Sequence, residues 1–314
     1  LIKIFTSGLF IKKSTTLAVN DISLNIEEKK PIIRAIAGES GSGKTTLARM
    51  LLGLIKPTSG EIKFEGNDIF KLDQSQRLNF RRRVQPIFQD PFGVFNPFYK
   101  VDRVLKMPIK KFKVTDNKTE AQDRIEIALN SVGLRPDETL GRFPHELSGG
   151  QLQRAAIARA IATTPDLVIC DEAVSALDKS IQAQILNLLT ELQAEIGMAF
   201  LFISHDLSVV EHVSDDVLVM YLGRIVEQGT NTQLWHEPRH PYTQALLSAA
   251  PGTDRERIML QGDPPTPSNP PEGCAFHTRC PVAVEACKGE RPRLAPSRSG
   301  SLAACIREDE TTRT

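Results

Sequence analysis

A charge excess of either sign and long apolar runs are what this 314-residue chain lacks. Lysine and arginine total 39 against 38 for aspartate and glutamate, a formal net charge of +1. That balance leaves no whole-molecule field to draw the protein onto nucleic acid or anionic lipid, so no nucleic-acid partner is expected. No stretch approaches the roughly 18 apolar residues that cross a bilayer, so membrane association would require a partner. The apolar start, Leu1 to Phe10, has no basic segment before it and no small-residue cleavage site, and is not read as a secretory signal. The expectation is a cytosolic chain. Cysteine is scarce as well: there are five, and a reducing compartment does not favour disulfides between them. Four of the five, Cys274, Cys280, Cys287 and Cys305, crowd into the last part of the chain.

What the chain does have is alternation. Short β-branched runs and helical patterns succeed one another through the first two-thirds, the mark of an α/β sheet wound with crossover helices. Strands are predicted at Pro31 to Ala37, Glu61 to Phe64, Leu167 to Cys170 and Ala199 to Ile203. Helices are predicted from Thr45 to Ile55 and from Lys179 to Ile196, the latter ended by Gly197. Between Pro91 and His145, prolines, basic residues and one amphipathic stretch, Thr119 to Val132, read as a helical insertion. From Pro264 to Pro271 the chain is Pro, Ser, Thr and Asn, too poor in apolar residues for regular structure, and reads as a linker or a wrapped tail. No internal repeat is present.

Three segments carry chemistry. Gly38-Glu39-Ser40-Gly41-Ser42-Gly43-Lys44-Thr45 fits G-x-x-x-x-G-K-[ST] between a predicted strand and a predicted helix. Its glycines let N–H groups curl around phosphate oxygens, the helix N-terminus adds positive potential, Lys44 reaches the β- and γ-phosphates, and the Thr45 hydroxyl is a Mg²⁺ ligand. The apolar strand ending in Asp171-Glu172 places two acids at the carboxyl end of a sheet, where ligands bind in such folds. Asp171 would hold Mg²⁺, and Glu172 would orient or deprotonate the attacking water. Ser148-Gly149-Gly150-Gln151 opens an Ala-rich helix running to about Ala162. It reads either as a second anion site or as an ordinary helix cap.

In this order the motifs resemble the ATP-binding-cassette (ABC) ATPases. Gly38 to Thr45 is similar to the Walker A loop, with Thr46 beside it, and Gln89 in Phe88-Gln89-Asp90-Pro91 to the Q-loop. Leu147 to Gln151 is similar to the signature, Asp171-Glu172 to Walker B, Ser175 to Asp178 to the D-loop, and His205 to the switch histidine. The resemblance implies a P-loop NTPase of the ABC type, over residues 1–235, with a helical subdomain at about 90–162 and an irregular, Cys-containing extension at 236–314. It implies ATP and Mg²⁺ as cofactors, with Mg²⁺ on Thr45, Gln89 and Asp171, and catalysis by Glu172, His205 and Gln89. It also implies a head-to-tail pair of ATPases in which Ser148, Gly149, Gly150 and Gln151 act on the partner's ATP. Family members stack adenine on an upstream aromatic; Phe10 is the nearest, and a strand-edge core phenylalanine is the alternative.

Val84 to Phe92, Asn96-Pro97 and His240-Pro241-Tyr242-Thr243-Gln244-Ala245-Leu246-Leu247 resemble the oligopeptide, dipeptide and nickel importer branch. That implies a peripheral subunit on the cytoplasmic face of the inner membrane, working with two permeases, a second ATPase, identical or homologous, and an extracytoplasmic binding protein. Nickel, glutathione and oligosaccharides are the alternative cargoes, and a soluble non-transport ABC ATPase is the alternative class. Read from the residues alone, Pro241 opens a helix and Tyr242, Ala245 and Leu246 pack on the core. The four tail cysteines, spaced C-x5-C-x6-C-x17-C, match no standard zinc-finger or ferredoxin spacing, yet four thiols in a tail with little core suggest a metal. The resemblance to the importer branch implies a [4Fe–4S] cluster, placed ahead of zinc with His277 as an alternative zinc ligand; free thiols are the other reading.

Overall fold

The computed structural model describes residues 1–7, 14–26 and 31–308. Its contacts gather into two compact units, one of residues 1–26, 33–62 and 203–314, the other of residues 27–32 and 63–202.

In the first unit, Ile33–Ala37 runs parallel to Asp216–Tyr221. Ile33, Ala35, Ile36 and Ala37 are all buried, as expected of a parallel strand covered on both faces. Pro31 has no N–H to give a ladder, and the strand starts after it. Asp216–Tyr221 turns back through Leu222 and Gly223, φ 43° and 78°, into antiparallel Arg224–Thr230. Positive φ at both turn residues matches the right-handed twist of a hairpin. Leu302–Ala303 and Ala295–Pro296 extend this sheet by two short antiparallel strands. Ile2–Ser7 and Ser14–Asn20 form a separate antiparallel pair.

The helix after Ile33–Ala37 is Lys44–Leu51, shorter than the predicted Thr45 to Ile55, because Gly53 takes φ 68° and ends it. Val210, Val217, Val219, Tyr221, Leu234, Tyr242 and Phe276 share one apolar core, so the C-terminal region contributes directly to the packing of this unit. No helix or strand forms between residues 250 and 285. The Pro-rich stretch is a wrapped tail: the Leu17 N–H donates to the Pro267 carbonyl at 3.1 Å.

In the second unit, Val84–Phe88 and Leu167–Asp171 are parallel, in register from Val84 opposite Leu167 to Phe88 opposite Asp171. Ala199–Ile203 is the next strand and is buried throughout. Lys179–Ile196 ends at Gly197, φ 74°. The predicted strand Glu61 to Phe64 keeps its end but starts only at Lys63, because its partner Asn67–Asp68 stops at Asp68, whose Oδ1 accepts the Phe70 N–H at 3.0 Å and turns the chain away. From residue 91 to 161 the regular elements are helical: Pro91–Val94, Val101–Lys111, Lys118–Ser131, Pro136–Thr139, a single 3-10 turn, and Gly149–Ile161, against which the first three pack. Among the described residues no helix is long and apolar enough to cross a membrane.

Candidate functional site

The phosphate loop is built where the buried strand Ile33–Ala37 ends. Gly38 takes φ 148°, and a Cβ there would lie 2.2 Å from the Met220 carbonyl oxygen. Gly43 caps the following helix at φ 103°, and its Cβ would meet the Ala18 carbonyl oxygen, also at 2.2 Å. Both positions exclude any side chain, so backbone replaces side-chain bulk around the loop. The turn on the other side is tied in as well, since the Gly223 N–H donates to the Ser42 carbonyl at 2.8 Å. Lys44 is buried, and its Nζ donates to the Gly38 carbonyl at 2.7 Å, the Glu39 carbonyl at 3.0 Å and Ser42 Oγ at 3.4 Å. An ammonium group is thus desolvated inside a ring of loop oxygens at the first turn of a helix. Thr45 and Thr46 follow it, half-buried.

Two contacts to this loop were not read from the sequence. The Glu39 N–H donates to the Tyr242 hydroxyl at 2.8 Å, and the Glu39 carboxylate pairs with Arg279 at 2.9 and 3.3 Å. Tyr242 was expected only to pack on the core; it does so, fully buried against Tyr221 and Phe276, and it also reaches the loop. His205, in the same unit, follows Ile203 and is exposed. Its neighbours hold the turn: the Ser204 N–H donates to the Ile36 carbonyl at 3.2 Å, and Asp206 caps the helix Leu207–Val213.

The second unit carries the paired acids. Asp171 ends its strand 7% exposed, and Glu172 stands beyond it at φ 53°, a left-handed conformation that costs a non-glycine residue about 1–2 kcal/mol. Ser175 holds that turn twice, its N–H and Oγ both donating to the Glu172 carbonyl, at 3.1 and 3.0 Å. Because Phe88 and Asp171 are register partners, Gln89 and Glu172 leave the ends of neighbouring parallel strands. Gln89 is exposed, and Asp90 caps Pro91–Val94 directly after it.

Ser148 forms a capping box with Gln151: the Gln151 N–H donates to Ser148 Oγ at 3.2 Å and the Ser148 N–H to Gln151 Oε1 at 2.9 Å. The helix-cap reading of this segment is therefore realised, with Gly149 and Gly150 in the first turn, where an α-helix has no internal acceptor for its N–H groups. A Cβ on Gly150 would crowd Ile181 at 2.9 Å. One turn later, buried Gln153 donates to the Ala173 carbonyl at 2.6 Å, fastening the signature helix beside Glu172.

Phe10 lies outside the described residues. Cys170 is a buried strand residue, with burial and the neighbouring Asp171 raising its thiol pKa. Cys274, Cys280, Cys287, Cys305 and His277 line one small pocket. The metal expectation for them is not supported: among the described residues no group of three or more His, Cys, Asp or Glu is arranged to hold a metal ion. The thiols share the pocket wall with Pro241, Phe276, Val282 and Ile306. Burial pushes the Cys280 and Cys305 thiols up to about 11. His277 Nδ1 is engaged with the Cys274 carbonyl at 2.8 Å.

Comparison with known proteins agrees with this arrangement. A family model described as ABC transporter matches residues 19–175, and one described as the oligopeptide/dipeptide transporter C-terminal region matches residues 226–287. The dipeptide transport ATP-binding protein DppF of Haemophilus influenzae is 45% identical over 96% of this chain and 92% of its own length. DppF of Escherichia coli is 46% identical over 96% of this chain and 90% of its own. Among solved structures, the cassette MJ0796 in a dimeric post-hydrolysis state bound to ADP and Pi superposes with a TM-score of 0.63 at 27% identity, over 73% of this chain and 97% of that one. With a phosphate loop closed by glycines, an acid pair on a strand end and a capped signature helix in place, the chain belongs to the ABC transporter family as an ATP-hydrolysing subunit.

Proposed function

We propose that this chain powers the uptake of oligopeptides or dipeptides as one of two ATPases bound to a pair of permeases, on the cytoplasmic face of the membrane. The observation that carries the cargo class is the match of residues 226–287 to the oligopeptide/dipeptide transporter C-terminal region, joined to a phosphate loop with its lysine and glycines in place. An extracytoplasmic binding protein would deliver the peptide, since the ATPase itself does not meet cargo.

In this reading Lys44 and the loop N–H groups bind the ATP phosphates, and Ser148, Gly149, Gly150 and Gln151 close over ATP held by the partner ATPase. Thr45, Gln89 and Asp171 would hold Mg²⁺, which neutralises charge developing on the β- and γ-phosphate oxygens. Glu172 takes the proton of the attacking water. His205 stabilises the γ-phosphate as charge builds on it. Differential binding of ATP and ADP then closes and reopens the pair.

The permease-facing surface of this reading lies on the second unit. Phe98 is 84% exposed, and Phe92, Tyr99 and Met107 are exposed near it in sequence. Large apolar side chains left in water on one short segment mark a contact surface. The test is to purify the tagged chain from detergent-solubilised membranes of its host, identify its companions by mass spectrometry, and assay ATP-dependent uptake of labelled peptides. Two polytopic permeases should co-purify, and Phe98→Ser should reduce their recovery severalfold. Recovery of soluble proteins alone would overturn the transport reading while leaving the ATPase in place.

A further inference from the structure

The C-terminal region reaches the phosphate loop through two side chains that converge on one residue. The Tyr242 hydroxyl accepts the Glu39 N–H at 2.8 Å. The same peptide group presents the Gly38 carbonyl, which accepts from Lys44 Nζ at 2.7 Å. One peptide plane at the entrance to the loop is therefore held at both edges, by the phosphate-binding lysine on one and by the C-terminal region on the other. Arg279 then fixes the Glu39 side chain, Nη1 to Oε2 at 2.9 Å and Nη2 to Oε1 at 3.3 Å. A two-pronged guanidinium–carboxylate pair sets orientation as well as distance. With the Arg279 side chain only 9% exposed, this pair is screened less than one on the surface.

Both partners are themselves anchored. Tyr221, Tyr242 and Phe276 pack with ring centroids 4.6, 5.3 and 5.4 Å apart. The Arg279 N–H donates to the Phe276 carbonyl at 3.0 Å, so the turn that carries the arginine grows out of this aromatic cluster. At the other end, buried Glu227 accepts the Arg239 and His240 N–H groups at 2.6 and 3.0 Å, and His240 Nδ1 accepts the Tyr242 N–H at 3.1 Å. A floppy surface tether would have none of this support.

We propose that Tyr242 and Arg279 are positioning residues for ATP: through Glu39 they hold the entrance of the phosphate loop in its binding conformation. A loop with three glycines at positive φ loses much conformational freedom when it closes on phosphate. Ordering it beforehand removes part of that cost and strengthens binding without touching the chemical step. The signature is a raised KM for ATP with kcat preserved.

This inference rests on the phosphate-loop assignment, and the experiment separates the two. ATP affinity and steady-state turnover are measured on the full chain for Arg279→Gln, Glu39→Gln, their double variant, Tyr242→Phe and the control Lys44→Ala. Arg279→Gln is expected to weaken ATP binding and raise its KM roughly tenfold, and Tyr242→Phe about fivefold, each with kcat within about twofold. The Glu39→Gln, Arg279→Gln double variant should be no worse than the worse single one, because one interaction is lost only once. Unchanged ATP affinity in Arg279→Gln and Tyr242→Phe, additive losses in the double variant, or a kcat that falls with thermal stability would each overturn the positioning role. Lys44→Ala should abolish ATP binding; if it does not, the loop assignment itself fails.

Discussion

Between residues 167 and 203 most of the chain is strand or helix, whereas between residues 250 and 285 there is neither. The first stretch is held by periodicity: Ala199–Ile203 is buried throughout, and Lys179–Ile196 turns Ile185, Leu186, Leu189 and Leu192 inward. The second is held by a few fasteners, namely the ring cluster around Phe276, the Arg279 pair with Glu39, and the Leu17 contact to Pro267. Periodic burial spreads stability over many residues, while fasteners concentrate it in a few. Substitutions should therefore act locally and steeply in the C-terminal region, and the chemistry of the second unit should be separable from both kinds of support.

The largest effect expected is chemical and leaves folding aside. Glu172→Gln should lower phosphate release by about 10²–10⁴-fold while ATP binding survives, measured as turnover beside equilibrium binding. Wild-type rates would remove Glu172 from the role of base. Gly38→Ala comes next, because it sets a Cβ 2.2 Å from the Met220 carbonyl oxygen at a backbone φ of 148°. It should weaken ATP binding more than tenfold and destabilise the fold by about 1–3 kcal/mol.

Phe276→Ala sharpens the contrast most directly. Loss of a fully buried ring should cost about 3–5 kcal/mol and speed proteolytic cleavage between residues 250 and 285. Amide protection in the helix Gly149–Ile161 should barely change. Equal loss of protection in both places would mean that the C-terminal region is not held by local fasteners.

The smallest effect is a pH dependence. Burial holds the His240 pKa down at about 3, against roughly 6.5 in an unfolded chain. The imidazole is neutral in the fold, so its contribution to stability is present above the unfolded value and is lost as pH falls toward 3, by at most about 1.4 kcal/mol per pH unit. Glu227 acts with the opposite sign: burial raises its pKa, so its contribution is present at low pH and is lost as pH rises through the folded value. His240→Asn keeps a side chain able to cap Tyr242 and removes the titration. Its denaturation midpoint should fall less between pH 6.5 and 5 than that of the wild type.

How far the sequence could be read follows the same division. Lys179–Ile196 and Ala199–Ile203 have the bounds expected of them, because Gly197 and an unbroken apolar run are local signals. The phosphate loop was legible for the same reason: its glycines, Lys44 and the flanking elements are contiguous. The link from Glu39 to Tyr242 and Arg279 was not, since the partners stand 203 and 240 positions away. Tyr242 carried a packing signal that was correct and incomplete; nothing local says where a hydroxyl will point. Four cysteines in a core-poor segment resemble a ligand set in one dimension; in the fold they line one pocket together with apolar side chains, and among the described residues no group of three or more His, Cys, Asp or Glu is arranged to hold a metal ion. The strand Glu61 to Phe64 was overextended at its start because its partner strand ends at the Asp68 turn, leaving Glu61 and Ile62 nothing to pair with in that hairpin.

Because the Glu39 N–H is bonded to Tyr242 and its carboxylate to Arg279, the C-terminal region is not an interchangeable module. A chimera joined near residue 236, taking its last part from a sister subunit, would confront the recipient's phosphate loop with a different pair of anchors. The seam that matters in such a graft runs through position 39, almost two hundred residues before the splice. Any swap meant to retain nucleotide affinity has to move Glu39, Tyr242 and Arg279 together.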